Sequence, residues 1–388
     1  MKKRLFLLNT QINKLRIGLY IHIPFCKKKC PYCDFYSITH SFDENIYLSA
    51  LKNELTFWKN QFDFSIKTLY IGGGTPSLLS IKFYHSLFDF LSKYFSFSPK
   101  ELTIEANPET LTFEKIKKLK DLGFNRISLG VQTFSKRGLK FLGRVHLPEQ
   151  VLKVIDGIIT AGFNNFSLDF IYDWKGQGLK TLEKDLKTIL SLSPPHVSFY
   201  EFTLEKDTPM YNYYKTKIWS SEKRIKKLCK IIESFLKNAG YERYEISNYA
   251  IKGKKCLHNL IYWKVKPYLG VGPSAVSRIG SYRWQNVADY FLYTSKLLTE
   301  KEPPFEITEV LDEKELLKEY IFMGLRLKEG ISIKKLYHKG YYFFEDALKL
   351  LEKNKLVSQE GGRLSLTFEG KFVHNSIVKF LWDNLVKL

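Results

Sequence analysis

From residue 16 to residue 239, short apolar runs alternate with longer segments of helical periodicity. The runs predict strands at Arg16–Ile23, Lys67–Ile71, Glu101–Glu105, Asn125–Val131, Asn165–Tyr172 and His196–Thr203. Apolar residues returning at helical spacing predict helices at Glu44–Gln61, near Leu78–Tyr94, and at Thr112–Leu122, Pro148–Gly162, Leu179–Leu190 and about Ser221–Ala239. Buried-looking strands separated by amphipathic helices form βα units that share a parallel sheet. Six such units fall short of the eight of a closed TIM barrel. The pattern therefore predicts an α/β fold, an open, partial (β/α)6 TIM-like barrel.

Past Tyr241 the rhythm changes. Tyr241–Tyr249 reads as one more strand, residues 252–290 are rich in Gly, Trp and Tyr with weak periodicity, and Glu302-Pro-Pro-Phe305 signals a linker. Helices follow at Leu311–Leu327, Ser332–Tyr337 and Phe343–Lys353. A hairpin at Leu356–Leu366 turns at Gly361-Gly362, and a last helix, Thr367–Leu388, is capped by Thr367. This order suggests a mixed helical, winged-helix-like domain. The expected division is an N-terminal extension 1–16, the barrel 17–250, an aromatic-rich connecting segment 251–304 and the C-terminal domain 305–388.

The chain has 388 residues, 44% of them hydrophobic and 26% charged, which fits a globular protein of two or three domains and excludes a disordered one. No apolar run reaches transmembrane length, and the apolar stretch Leu5–Leu8 is too short for a signal-peptide core, so a cytoplasmic protein is expected. The net charge is +21, but lysines are spread along the whole chain among Asp and Glu. The charge reads as solvated surface, with no nucleic-acid partner expected.

Cysteine placement changes the picture more. Of five Cys, three (Cys26, Cys30, Cys33) fall in one loop after the first strand, while Cys229 and Cys256 lie far away. The odd number and uneven spacing suit no disulfide framework; three close thiols point to metal ligation. A structural zinc site needs four ligands, and His22 or His40 is available as the fourth. A cubane iron–sulfur cluster takes one thiolate per iron, and three thiolates leave one iron open. Spacing alone leaves both readings standing.

The spacing C-x3-C-x2-C after a first barrel strand, with the aromatic Tyr32 between the last two Cys, resembles the radical S-adenosylmethionine superfamily. The resemblance implies a 4Fe–4S cluster on Cys26, Cys30 and Cys33, its fourth iron chelated by S-adenosylmethionine. Further motifs occur in the order of one branch: Tyr20-Ile-His-Ile-Pro-Phe-Cys26, Gly72-Gly-Gly-Thr-Pro76, Glu105-Ala-Asn-Pro108, Arg126-Ile-Ser-Leu-Gly-Val-Gln132, Leu142-Gly-Arg-Val-His146 and His258-Asn-Leu-Ile-Tyr-Trp263. That branch holds oxygen-independent coproporphyrinogen III oxidase and the HemW-like haem chaperones, and the resemblance runs from about residue 17 to the C-terminus.

The resemblance assigns roles residue by residue. The glycine turn, here Gly73, Gly74 and Thr75, meets the cofactor's amino group; bare backbone allows that close approach. Glu105, Gln132, Asp169 and Arg144 meet its ribose and carboxylate, Arg being suited to a carboxylate by its fork of donors. Tyr20 and Tyr32 are cofactor contacts. Taken alone, each is an ordinary rim, turn or core residue. His258, among Tyr262, Trp263 and Tyr268, is the candidate axial haem ligand; its bland alternative is core packing. Two departures stand out. Phe35 occupies the position of a further Cys in the oxidase branch, and Asp173-Trp174-Lys175 replaces a compact Gly-Leu-Pro-Gly-Gln turn.

The reading that follows is a HemW-like haem chaperone that binds a 4Fe–4S cluster, S-adenosylmethionine and haem, and delivers haem to an acceptor protein. It implies a reductant such as flavodoxin or ferredoxin and leaves room for contact with a membrane surface during delivery. The alternatives are the oxidative decarboxylation of coproporphyrinogen III to protoporphyrinogen IX, which Phe35 disfavours, and radical chemistry on another substrate.

Overall fold

The computed structural model describes residues 15–215 and 219–387; the expected N-terminal extension lies outside them except for residues 15 and 16. The first half consists of β1 (Leu15–Ile23), α1 (Glu44–Gln61), β2 (Phe64–Gly73), α2 (Ile81–Tyr94), β3 (Ser96–Ala106), α3 (Phe113–Asp121), β4 (Arg126–Gln132), α4 (Lys136–Phe141), α5 (Pro148–Thr160), β5 (Phe166–Tyr172), α6 (Leu179–Leu192) and β6 (His196–Glu201). Strands β1 to β6 pair in sequence order, all parallel. This is the α/β fold that the alternation predicts. Side-chain caps start the helices: Asp43 accepts from Asn45 and Ile46 N–H at α1, and Ser80, Thr112 and Ser135 do the same for α2, α3 and α4.

Strand side chains alternate between two environments. Ile17, Leu19, Ile21 and Ile23 of β1, Leu69 and Ile71 of β2, Ile127, Leu129 and Val131 of β4, and Leu168 of β5 are fully buried in the main apolar core. The residues between them, among them Tyr70, Glu105, Ser128 and Asp169, line a cavity. The interior of this barrel is thus polar, unlike the packed aliphatic layers of a complete TIM barrel.

The chain continues with α7 (Pro209–Tyr214), α8 (Glu222–Asn238), β7 (Glu242–Arg243), β8 (Asn248–Ala250), α9 (Leu257–Trp263), β9 (Tyr268–Val271), β10 (Val276–Ile279), β11 (Tyr282–Asn286), α10 (Tyr290–Thr299) and β12 (Phe305–Val310). Where one strand is expected at Tyr241–Tyr249, two short ones form. The Arg243 guanidinium donates to the Ile246 carbonyl (Nε, 3.0 Å) inside the turn between them. The segment expected as a connector adds β9, β10 and β11 to the main sheet. β9 pairs in parallel with β1, and the order runs on through β10, β11 and β12. These strands are too short to show a period. Because β12 belongs to this sheet, the sheet extends past the boundary expected at residue 305.

A second apolar core gathers around Leu317, Ile321, Leu336, Leu351, Leu364 and Leu381. Its elements are α11 (Glu313–Gly324), β13 (Ile331–Ser332), α12 (Ile333–Tyr337), β14 (Tyr341–Phe343), α13 (Glu345–Lys353), β15 (Val357–Glu360), β16 (Arg363–Leu366), α14 (Phe368–Phe372), α15 (His374–Asp383) and β17 (Leu385–Lys387). β15 and β16 form the expected hairpin around Gly361 and Gly362. The single helix expected at Thr367–Leu388 is instead α14, α15 and β17. Thr367 does cap α14, accepting from Gly370 N–H at 3.1 Å, but β17 leaves the helix to pair with β14. Among the described residues, no helix is long and apolar enough to cross a membrane.

Candidate functional site

A cavity of about 460 Å³ opens where the strands end, beneath the loop between β1 and α1. That loop carries Cys26, Cys30 and Cys33, all free thiols. Its backbone is pinned: Cys26 N–H donates to the Ile38 carbonyl (2.9 Å), Ile38 N–H to that of Pro24 (2.7 Å) and Cys33 N–H to that of Cys30 (3.1 Å). From α7, Met210 N–H donates to the Pro31 carbonyl at 2.9 Å. The Thr75 hydroxyl donates to Cys26 Sγ at 3.5 Å and Arg144 Nη1 to Cys30 Sγ at 3.6 Å. Burial pushes the Cys33 thiol up to about 11.

The donor set discriminates between the two metal readings. Among the described residues, no group of three or more His, Cys, Asp or Glu is arranged to hold a single ion. His22 Nε2 lies 2.8 Å from the Tyr36 carbonyl, which only accepts, so Nε2 carries the proton and Nδ1 accepts from the Tyr20 hydroxyl at 3.0 Å. Burial lowers the His22 pKa to about 4. With both nitrogens engaged, His22 is no fourth zinc ligand. His40 points elsewhere, stacked on Phe291 with ring centroids 5.1 Å apart. Three thiols that do not converge on one point suit a cubane cluster, where each binds its own iron.

The glycine turn after β2 runs beside the loop. Gly73 has φ +111°, and a Cβ there would stand 2.7 Å from the His22 ring, so both backbone and space demand glycine. At Gly74 a Cβ would lie 3.0 Å from Cys26 Sγ and 2.7 Å from the Phe25 carbonyl oxygen. Gly73 N–H donates to Glu105 Oε2 at 3.1 Å, and the Tyr70 hydroxyl to Oε1 at 2.7 Å. Burial nevertheless raises the Glu105 carboxyl to about 7. Arg144 Nη2 donates to Asn107 Oδ1 (2.5 Å) and the Gly130 carbonyl (3.3 Å), and Asn107 donates to the Thr75 hydroxyl (3.2 Å). Gln132, with φ +67°, ends β4 in a left-handed conformation beside a register shift against β5; such strain in a non-glycine residue marks a constrained position. Asp169 accepts from Ser128 and Ser167, each at 2.7 Å.

Cys26, Cys30, Cys33, Tyr32, Gly73, Gly74, Thr75, Glu105, Gln132, Arg144 and Asp169 all line the cavity, as does Phe35, 57% exposed at its rim. Two expected residues do not. Tyr20 lies behind His22, to which its hydroxyl is bonded. His258 is fully buried on α9, its Nδ1 2.7 Å from the Thr68 hydroxyl and its Nε2 2.8 Å from the Tyr262 hydroxyl. A ring with both nitrogens satisfied and no open side is a packing residue, so the haem-ligand assignment is withdrawn. The unusual Asp173-Trp174-Lys175 turn also leaves the cavity. Trp174 packs with Leu142, Phe202 and Met210, and Asp173 pairs with Arg224 Nε at 2.7 Å.

Other wall residues were not anticipated: Tyr70, Asn107, Arg126, Ser128, His196, Ser198 and Tyr200. Their signal is the polar half of each strand's alternation. Arg126, Ser128, Gly130 and Gln132 occupy every second place in β4. So do Ser167 and Asp169 in β5, and His196, Ser198 and Tyr200 in β6.

Comparison with known proteins agrees with this geometry. The radical SAM superfamily model matches residues 20–189, and the HemN C-terminal domain model matches residues 311–373. A protein named heme chaperone HemW from Bacillus subtilis is 37% identical over 372 residues, covering 92% of this chain and 97% of its own. One of the same name from Lactococcus lactis is 34% identical over 375 residues, covering 94% and 97%. In fold, the chain is similar to the Escherichia coli coproporphyrinogen III oxidase HemN, a radical SAM enzyme, with a TM-score of 0.82 at 22% identity over 95% of this chain and 90% of that one. Three cysteines over a polar barrel, the motif order and near full-length identity converge: the chain belongs to the HemW family of the radical SAM superfamily.

Proposed function

We propose that this protein is a haem chaperone that binds a 4Fe–4S cluster, S-adenosylmethionine and haem, and passes haem to an acceptor protein. The observation that carries the reading is the set of three free thiols at the mouth of a polar-walled cavity, with Phe35 where the oxidase branch has a further thiol. Cys26, Cys30 and Cys33 would hold the cluster, which together with S-adenosylmethionine supplies one-electron chemistry when bound. Arg144 suits the cofactor's carboxylate, and Glu105, Gln132 and Asp169 its hydroxyls. Gly73, Gly74 and Thr75 give its amino group a bare backbone edge, and Tyr32 flanks it. Haem binding rests on family membership, and His258 is not its ligand. A cytoplasmic location, a flavodoxin- or ferredoxin-type reductant and contact with a membrane surface during delivery belong to the same proposal. So does a division into a barrel at 17–250, a connecting segment from 251 carried past Val310, and a C-terminal winged-helix-like domain.

The test is anaerobic reconstitution of the full chain. About four iron and four sulfide per chain are expected, lost in Cys30→Ala, and S-adenosylmethionine should change the EPR spectrum of the reduced cluster. Haem should bind with a Soret band, and coproporphyrinogen III should remain unconverted. One tightly bound zinc without sulfide overturns the cluster assignment. Formation of protoporphyrinogen replaces the chaperone reading with the oxidase.

A further inference from the structure

The deep end of the cavity holds an arginine that makes no hydrogen bond or ion pair among the described residues, although the charge of Glu101 acts on it from nearby. Gln132 ends β4 at the mouth, and Arg126 begins it, roughly 20 Å back along the strand at ~3.3 Å per residue. Arg126 is 2% exposed and lines the cavity. Its buried Nε has no hydrogen-bond partner, and among the described residues its guanidinium makes no ion pair.

The carboxylates around it accept from other donors. Glu101 accepts the N–H groups of Leu257 and His258, each at 2.9 Å. Glu105 is taken by Tyr70 and Gly73, and Asp169 by Ser128 and Ser167. Ser167 donates to Asp169, so His196 Nδ1 donates to Ser167 (2.8 Å) and His196 Nε2 accepts from the Tyr244 hydroxyl (2.9 Å). Burial and the nearby Arg126 charge both hold His196 neutral. The carboxylates and the imidazole around it thus each hold a donor other than Arg126, and Glu101 acts on it through its charge alone. A buried guanidinium left without partners is costly, and its rigid fork matches a carboxylate in two-point contact.

We infer that the floor of the cavity is a carboxylate subsite, with Arg126 as its recognition residue, for a molecule that enters through the mouth. This deepens the proposed function and rests on it for the cavity being the ligand site, though not on haem being the ligand. Two sources offer such a group: a haem propionate, and the carboxylate of S-adenosylmethionine if it leaves the Arg144 contact proposed above.

Calorimetric titration of the full chain with propionate and with propionamide tests the subsite directly. Propionate should bind saturably and at least about tenfold more tightly than propionamide, a factor that corresponds to one charged contact. Arg126→Gln should abolish that preference, and Arg126→Lys, which keeps the charge without the fork, should reduce it. If the Gln variant does not fold, the Lys variant carries the comparison. Displacement of propionate by S-adenosylmethionine identifies the cofactor as the source and overturns the assignment of its carboxylate to Arg144. Tighter binding of haem than of its dimethyl ester, lost in the Arg126 variant, identifies the propionate. Propionate binding without any haem binding sustains the subsite and removes the chaperone reading. No saturable propionate binding, equal affinity for propionamide, or unchanged affinity in a folded Arg126 variant overturns the proposal.

Discussion

Glu105→Gln is the perturbation that the cavity defines most sharply. Burial raises the Glu105 carboxyl from its ordinary 4.5 to about 7 despite donors from Tyr70 and Gly73. The folded pKa lies above the unfolded one, so between these pH values the native state keeps a proton that the unfolded chain has released. Stability from this group is complete below about 4.5 and is lost as pH rises towards about 7. At ~1.4 kcal/mol per pH unit, the loss over that window is at most about 3.5 kcal/mol, and less where water in the cavity relieves the burial. Gln keeps the shape: its amide oxygen can accept from Gly73 N–H, while its NH2 donates to the Tyr70 oxygen. Urea unfolding of parent and variant at pH 5, 6, 7 and 8 provides the assay. Asp185, raised by burial to about 6, also titrates in this range, so the informative quantity is the difference between the two curves. The variant should gain on the parent by up to about 3 kcal/mol from pH 5 to pH 8. Parallel curves would refute the reasoning, because Glu105 would then titrate as an ordinary carboxyl.

Gly73→Ala should cost about 1–2 kcal/mol from the left-handed backbone alone and more from the clash with the pinned His22 ring, and should weaken cluster retention; iron content and thermal midpoint after reconstitution check both. His258→Ala should leave any haem Soret band unchanged while destabilising the fold by about 2–4 kcal/mol, since it leaves a hole and strands the Thr68 and Tyr262 hydroxyls; a shifted Soret band would reinstate the ligand role. Arg224→Met should cost about 3 kcal/mol by leaving the buried Asp173 carboxylate uncompensated. Adding Asp173→Asn should restore most of that, and a double-mutant cycle by chemical denaturation reads the coupling.

Local sequence settled what short-range geometry governs. Short apolar runs placed β1 to β6, and helical spacing placed α1, α2, α3, α5, α6 and α8, because these elements pack on the main core. The thiol spacing set the loop chemistry, and the ordered motifs carried the family. Tertiary structure alone decided which side chains meet. His258 and Tyr20 belong to the same motifs as residues that line the cavity, yet each is consumed by a neighbour, Thr68 and Tyr262 in one case and His22 in the other. No spacing rule reports that a distant Glu101 carboxylate anchors the start of α9. Nor does one report that Trp174 turns from the cavity into a cluster with Leu142, Phe202 and Met210. The strands β9 to β12 were not legible for the same reason: β9 to β11 are four or five residues long, β12 is mostly exposed, and each forms because an edge of β1 or of its neighbour is available. Arg126 was visible in the sequence as the head of the Arg126–Gln132 motif and as one polar place in an alternating strand, with no role attached. That its buried Nε meets no hydrogen-bond partner is a property of the strands closing on one space.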